Sequence, residues 1–284
     1  MGKGTVWVTG ADGFAGRAAI DAFQANGWRV IALTRWSSPG GDLSDLGVLA
    51  GLSAQGPADA IVHLASRVDL RPDADAGDLY GSNVLAAAAL ADLARRWQAR
   101  MVLASSIAVF GRQEFVTPAT EPAPATPYAR AKLAAEAVVA ASGAHHAILR
   151  IGGIYGYGGP SHLGLNHALA RAVDDGRPPS LTGPGNGRRN YVYVHDLADM
   201  IVGVVEGGVG GIHLVGGPEP IRLKDMLDAL AETFCEDPVE RKDGMDVPDC
   251  VVEPSPGLLP GRRFAETLED IRCRHGSPRF RSPM

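Results

Sequence analysis

Cysteine is scarce. The chain carries three in 284 residues, Cys235, Cys250 and Cys273, all late and widely spaced. That placement makes neither a disulfide framework nor a metal-ligand pattern, so no metal site is expected. A basic surplus is missing too: 27 Lys and Arg stand against 32 Asp and Glu, a formal net charge of −5. This argues against a nucleic-acid partner, whose binder would carry clustered positive charge. No run of about 20 apolar residues occurs, so no membrane span is expected. Met1–Gly4 leads straight into Thr5-Val6-Trp7-Val8 without the successive regions of a secretory leader. The expectation is a cytoplasmic protein.

What is present is a chain 45% hydrophobic and 21% charged, long enough to bury a full core unaided. The first 155 residues alternate two textures. Thr5–Thr9, Val30–Leu33, Ala60–Leu64, Met101–Ala104 and Ala147–Ile151 are near-continuous apolar runs, which suit strands buried on both faces. Between them Ala15–Asn26, Asn83–Arg96 and Pro127–Ala141 carry Ala and Leu at helical spacing. The alternation predicts an α/β fold, a doubly wound parallel sheet. Asp69–Asp78 and Arg112–Thr126 read as loops, and His145-His146 as a surface loop before the fifth strand. Beyond residue 155 the texture becomes Gly- and Pro-rich, with one amphipathic helix over Ile221–Phe234. The expected division is a first domain of 1–155, its sheet completed by later segments, and a smaller interleaved lobe of 156–284. The tail 274–284 is expected to be flexible.

Thr9-Gly10-Ala11-Asp12-Gly13-Phe14-Ala15-Gly16 follows the first strand and opens the first helix. Gly10 permits a tight turn, Gly13 lets backbone N–H groups approach a pyrophosphate, and Gly16 allows close helix–strand packing. Asp12 and Phe14 complete this candidate dinucleotide loop. A plain β–α turn is the bland alternative. After the second strand an NAD site wants a carboxylate for the ribose hydroxyls. Here the segment is Thr34-Arg35-Trp36-Ser37-Ser38. Arg35 is a permanent cation with a donor fork suited to phosphate, and Ser37 and Ser38 add hydroxyls. NADP(H) is therefore the expected cofactor, with NAD the alternative and a solvated Arg35 the bland reading. Asp42, beside Leu43, is a candidate acceptor for an adenine amino group or simply a turn former.

Tyr128 and Lys132 stand four residues apart, on one face of a helix. An ammonium there favours a phenolate and lowers the tyrosine pKa, so the phenol can exchange a proton with a carbonyl or hydroxyl. Ser106, at the end of the fourth apolar run, falls where ligands bind a parallel sheet, though a strand-end serine is commonly a cap.

Together Thr9–Gly16, His63-Leu64-Ala65, Asn83, Ser106–Gly111 and Tyr128–Lys132 resemble the extended short-chain dehydrogenase/reductases, the NAD(P)-dependent epimerase/dehydratase group. The likeness continues through Leu149-Arg150, Ile154-Tyr155-Gly156 and Arg189–Asp196, covering residues 5 to about 234. It implies a Rossmann-type domain with a C-terminal substrate lobe and a homodimer formed through the helices of Asn83–Arg96 and Pro127–Ala141. It implies Ser106, Tyr128 and Lys132 as catalytic residues, with Tyr128 and Lys132 also contacting the cofactor and Ser106 the substrate. Leu64, Ala65, Ser66 and Asn83 join the cofactor contacts. Arg189 and Tyr191 fall in the substrate segment, with Ile107 beside the catalytic serine. Tyr193 lines the nucleotide pocket or simply alternates on a strand. His63 reads as structural.

Departures from the pattern narrow the chemistry. Dehydratases place an Asp-Glu pair where Ile107 and Ala108 stand, which argues against water elimination. Many epimerases have an Asn where Gly153 stands. The expectation is an NADP(H)-dependent oxidoreductase acting on a nucleotide-linked sugar by 4-ketoreduction. The alternatives are a 4-epimerase with tightly held cofactor, and a cofactor-sensing module without catalysis.

Overall fold

A computed structural model of the chain describes residues 2–36, 40–161, 164–258 and 261–276. They form two compact units. The first comprises Met1–Gln113, Pro118–Ile151 and Leu197–Leu214; the second comprises Glu114–Thr117, Gly152–Asp196 and Val215–Met284.

The first unit is built on a six-stranded sheet: β1 (Thr5–Thr9), β2 (Arg29–Leu33), β3 (Ala60–His63), β4 (Arg100–Ser106), β5 (His145–Ile151) and β6 (Gly211–Val215), in the order β6-β5-β4-β3-β1-β2. The pairs among β1 to β5 are parallel. Its helices are α1 (Phe14–Ala25), α2 (Leu46–Leu52), α3 (Ala76–Tyr80), α4 (Ala86–Trp97), α5 (Pro127–Ala141) and the Leu197 end of α7 (Val194–Gly207); α6 (Gly164–Asp175) belongs to the second unit. Val6, Trp7 and Val8 are all fully buried, which is why β1 reads as an unbroken apolar run rather than an alternating one. On one face Trp7, Ile61, Met101, Leu103 and Ile148 pack against Leu90 and Leu93 of α4 and Ala135 and Val139 of α5. Trp7 meets Trp97 edge-on, ring centroids 4.9 Å apart. α1 lies along β1 and β2.

Local chemistry sets the helix ends. Thr126 accepts a hydrogen bond from Ala129 N at 3.2 Å and Pro127 occupies the first turn, so α5 begins where its sequence predicts. Asp75 caps α3 by accepting from Asp78 N at 3.0 Å, so the expected Asp69–Asp78 loop gives way to helix at Ala76. Gly81–Leu85 forms a π-helical turn, and α4 proper starts three residues later than Asn83. His145 and His146 open β5 instead of lying in a loop, because they pair with Arg100 and Met101 of β4.

In the second unit, short strands pair Phe115–Val116 with Val251–Val252, Ile154–Tyr155 with Val192–Tyr193, Arg188–Arg189 with Ile221–Arg222, and Ser180–Thr182 with Glu240–Lys242. Phe115–Val116 interrupts the expected Arg112–Thr126 loop. Likewise Ile221 and Arg222 are strand, and α8 (Leu223–Phe234) starts after them. α8 packs on both α6 and α9 (Phe264–His275), and its Met226, Leu230 and Phe234 are buried. Arg274 and His275 belong to α9; residues 277–284 of the expected flexible tail lie outside the described residues.

One close approach joins α1 to the sheet. A Cβ at Gly16 would stand 2.0 Å from Gly10 O, a backbone atom that cannot turn aside. Gly16→Ala is expected to destabilise the protein by about 2–3 kcal/mol, as overpacking does. Urea unfolding checks this, and an unchanged midpoint would show that the approach is not enforced.

Candidate functional site

The carboxyl ends of β1, β2 and β3 open onto a cleft of about 490 Å³, lined by Gly10, Asp12, Gly13, Arg35, Asp42 and the Leu64–Arg67 turn among others. Such crevices at strand ends are where doubly wound sheets bind ligands. Gly10 sits at φ +66°, and a Cβ there would meet Ala65 N at 2.7 Å. Gly13 is extended and precedes α1, whose first turn has neither a side-chain cap nor an acidic residue. Gly13 lines the cleft, so the positive end of the helix dipole lies beside it. A dinucleotide's diphosphate fits this cradle: backbone donors, a positive helix end and no Cβ in the way.

The sequence-predicted residues distribute as follows. Gly10, Asp12, Gly13, Arg35, Asp42, Leu43, Leu64, Ala65 and Ser66 all line the cleft. Phe14 and Gly16 open α1. Ser37 and Ser38 lie outside the described residues. Arg35 Nε stands 3.7 Å from Asp42 Oδ2, both groups largely exposed. Asp42 accepts from Ser44 N at 3.0 Å and Ser44 Oγ at 2.8 Å, which hold its carboxyl below the usual range.

Asn83 is buried and does not line the cleft. Its Oδ1 accepts from Arg67 N at 2.9 Å, and its Nδ2 donates to Arg67 O at 3.0 Å. Those two backbone bonds fix the amide's orientation. Ser66 Oγ donates to Asn83 Oδ1, 3.0 Å away, and also lies 3.5 Å from Arg67 O.

In the same unit Tyr128 and Lys132 project from one face of α5, as their spacing predicts, and both are buried. The hydroxyls of Ser66 and Ser106 face the Tyr128 phenol. Ser106 caps the turn after β4 by accepting from Ala108 N at 3.1 Å, which leaves its proton available to the phenol oxygen. The expected lowering of the Tyr128 pKa by Lys132 is not found. Burial pushes the phenol up, and the two serine hydroxyls only partly oppose it. Lys132 Nζ donates to Ala104 O at 2.6 Å. Burial draws its ammonium down to about 8, against the pull of the Glu136 carboxylate.

Glu136 went unnoticed in the sequence, although it continues the Tyr128–Lys132 face by one more turn. Arg150 holds it through Nη2 at 2.8 Å and Nε at 3.1 Å, and Ser105 Oγ donates to it as well. Arg150 in turn lies over the Phe110 ring, 4.9 Å from its centroid. His63 is structural: Nδ1 pairs with Thr9 Oγ1 at 2.7 Å, and that hydroxyl also receives Ala65 N at 3.2 Å.

Arg189, Tyr191 and Tyr193 belong to the second unit. Arg189 Nη1 donates to Arg188 O and Pro248 O. The Tyr191 ring fills the space beside Gly153, where a Cβ would meet its Cδ1 at 2.2 Å. Tyr193 donates to Asp270 Oδ2 at 2.8 Å, and burial with that carboxylate raises its phenol far above the ordinary value. Ile107 follows Ser106 in the turn after β4. Among the described residues no cluster of His, Cys, Asp and Glu could hold a metal, and no helix is long and apolar enough to cross a membrane.

The parallel sheet and its glycine cleft define a Rossmann-type fold. The chain belongs to the NAD dependent epimerase/dehydratase family, whose model matches residues 6–216. It is 28% identical over 226 residues to a UDP-glucose 4-epimerase of Mycolicibacterium smegmatis, covering 69% of this chain and 71% of that one. It is 33% identical over 184 residues to a ceramide reductase of Caulobacter vibrioides, covering 60% of this chain and 52% of that one. Its fold matches that of a Bacillus anthracis dTDP-4-dehydrorhamnose reductase in complex with NADP, with a TM-score of 0.80 at 18% identity over 96% of this chain and 99% of that one.

The His63 ring gives the unit a defined acid sensitivity. Burial, and then the Lys132 charge, lower its pKa from 6.5 to about 3. The unfolded chain therefore takes up a proton at this ring between pH 6.5 and about 3 that the folded chain refuses, so stability present above 6.5 is lost as pH falls through that window. His63→Gln is expected to flatten the slope of unfolding free energy between pH 6.5 and 4 by up to about 1.4 kcal/mol per pH unit. Denaturant midpoints across that range check this, and parallel wild-type and variant curves would refute it.

Proposed function

We propose that this protein is an NADP(H)-dependent 4-ketoreductase of a nucleotide-linked sugar. The observation that carries the reading is the gathering of Ser106, Tyr128 and Lys132 in the same compact unit as a dinucleotide cleft with Arg35 at its rim. When bound, the reduced nicotinamide supplies a hydride. The chain's own residues supply the rest. Tyr128 donates its phenolic proton to the carbonyl oxygen, and burial that keeps the phenol protonated suits it to that role. Ser106, whose proton is free of other acceptors, orients the same oxygen. Lys132 holds positive charge behind the phenol and stabilises the phenolate left by proton transfer. Arg35 replaces the carboxylate that would favour an unphosphorylated ribose, and its fork suits a 2′-phosphate. Ile107 and Ala108 offer neither acid nor base, so elimination of water has no agent here.

The ceramide reductase likeness supports net reduction, and the UDP-glucose 4-epimerase likeness supports a nucleotide-linked substrate. The latter also favours a second reading, 4-epimerisation with retained cofactor. A homodimer through α4 and α5 accords with Leu85, 46% exposed immediately before α4, and light scattering at the monomer mass would exclude it.

Incubation with NADPH and a panel of nucleotide-linked 4-keto sugars is expected to consume NADPH and yield reduced sugar. Absence of turnover across the panel counts against reduction, while interconversion of sugars by the protein as purified, without added cofactor, selects the epimerase. Tyr128→Phe is expected to lower kcat by about 10²–10⁴-fold with NADPH affinity retained. Arg35→Asp is expected to weaken NADPH about tenfold or more and leave NADH unharmed; an unchanged preference in fluorescence titrations removes the NADP assignment.

A further inference from the structure

We propose that Arg67 is a second phosphate-binding residue of the dinucleotide cleft, closing on the ligand from the β3 side as Arg35 does from the β2 side. The inference rests on the dinucleotide reading of the cleft given above.

Topology supplies the first argument. In the sheet β1 lies between β3 and β2, so the chain leaving β3 and the chain leaving β2 flank the glycine turn that leaves β1. Arg67 follows β3 by four residues, Arg35 follows β2 by two, and both line the cleft. The two cations share a field. Ser44 contributes most to the low pKa of Asp42, and the charges of both Arg35 and Arg67 add to it.

Pairing supplies the second argument. Each arginine is held by a carboxylate at the surface: Arg35 by Asp42 at 3.7 Å, Arg67 by Asp78 at 2.9 Å. The Arg67 and Asp78 side chains are 57% and 54% exposed. An ion pair this exposed is worth at most about 1 kcal/mol, too little to keep the guanidinium from a phosphate. A phosphate offers it a charge-assisted, two-point contact. Asp78 is thus a counter-ion that a ligand displaces.

The third argument is what holds Arg67 in place. Asn83, only 2% exposed, uses both ends of its amide on the Arg67 N–H and carbonyl. A buried amide committed to both backbone groups of an exposed arginine fixes where that side chain starts. Pre-positioning of this kind lowers the ordering cost of binding.

The test titrates wild type, Arg67→Gln, Arg67→Lys and Asp78→Asn with NADP+ and with NAD+, at low and moderate salt, after circular dichroism has established that each variant melts as wild type does. Arg67→Gln is expected to weaken binding about tenfold or more, the loss of a hydrogen bond to a charged group. Arg67→Lys should fall between Arg67→Gln and wild type, since it keeps charge and loses the fork. Asp78→Asn should tighten binding by up to about fivefold, the worth of the pair it removes. Equal losses for both dinucleotides place Arg67 on the diphosphate; a loss for NADP+ alone places it on the 2′-phosphate. Arg67→Gln binding both within twofold of wild type overturns the proposal while the dinucleotide reading stands. Wild type that binds neither removes the reading itself, and the proposal with it.

Discussion

An ammonium taken out of water has to be compensated on the spot, and the first unit is organised around one. Lys132 is 3% exposed and sits on a helix whose neighbours are apolar. Its single carbonyl partner, Ala104 O at the end of β4, is not enough to replace a hydration shell. Glu136 supplies the opposite charge one turn further along α5. That carboxylate, itself 4% exposed, is then a second buried ion, and Arg150 of β5 answers it with two donors while Ser105 of β4 gives a third. The chain of compensation ends at Phe110, whose ring face receives the Arg150 guanidinium. One lysine thus fixes the mutual setting of β4, α5 and β5. Breaking such a network by removing one partner strands a buried charge, at about 3–5 kcal/mol.

The same arrangement sets the protonation states that chemistry would use. The simple picture of a lysine that turns its neighbouring tyrosine into a phenolate does not hold in this structure. Burial acts on both groups in the direction of neutrality, raising the phenol and lowering the ammonium to about 8. The Ser66 and Ser106 hydroxyls both pull the phenol down, and burial outweighs them. Ser106 has its lone pair engaged by Ala108 N and keeps its proton to offer. A phenol in that position is kept as an acid, which is the state a carbonyl reduction starts from.

How much of this was readable in the sequence divides along a physical line. Features fixed by local geometry were legible: β1 over Thr5–Thr9, α5 over Pro127–Ala141 and the glycine turn at Gly10 each follow from the residues that form them. Features created by tertiary partners were not. The Asn83 amide holds the Arg67 backbone, a pairing that exists only once the π-helical turn before α4 and the turn after β3 meet. His145 and His146 look like loop residues until β4 offers them ladder partners. Glu136 was detectable in principle, as the third member of an i, i+4, i+8 face, but its meaning depends on Arg150, fourteen residues away on a different element.

Gly153 shows the same division in the second unit. Read alone, it is a position without a side chain. In the folded unit the space is occupied: the Tyr191 ring stands where any side chain at 153 would begin, and the phenol is buried there beside Arg189. Losing a donor and seating an aromatic ring are one structural event, because neither residue fits with a larger partner. The arginine in question has its Nη1 already tied to two backbone carbonyls, which fixes it beside the ring.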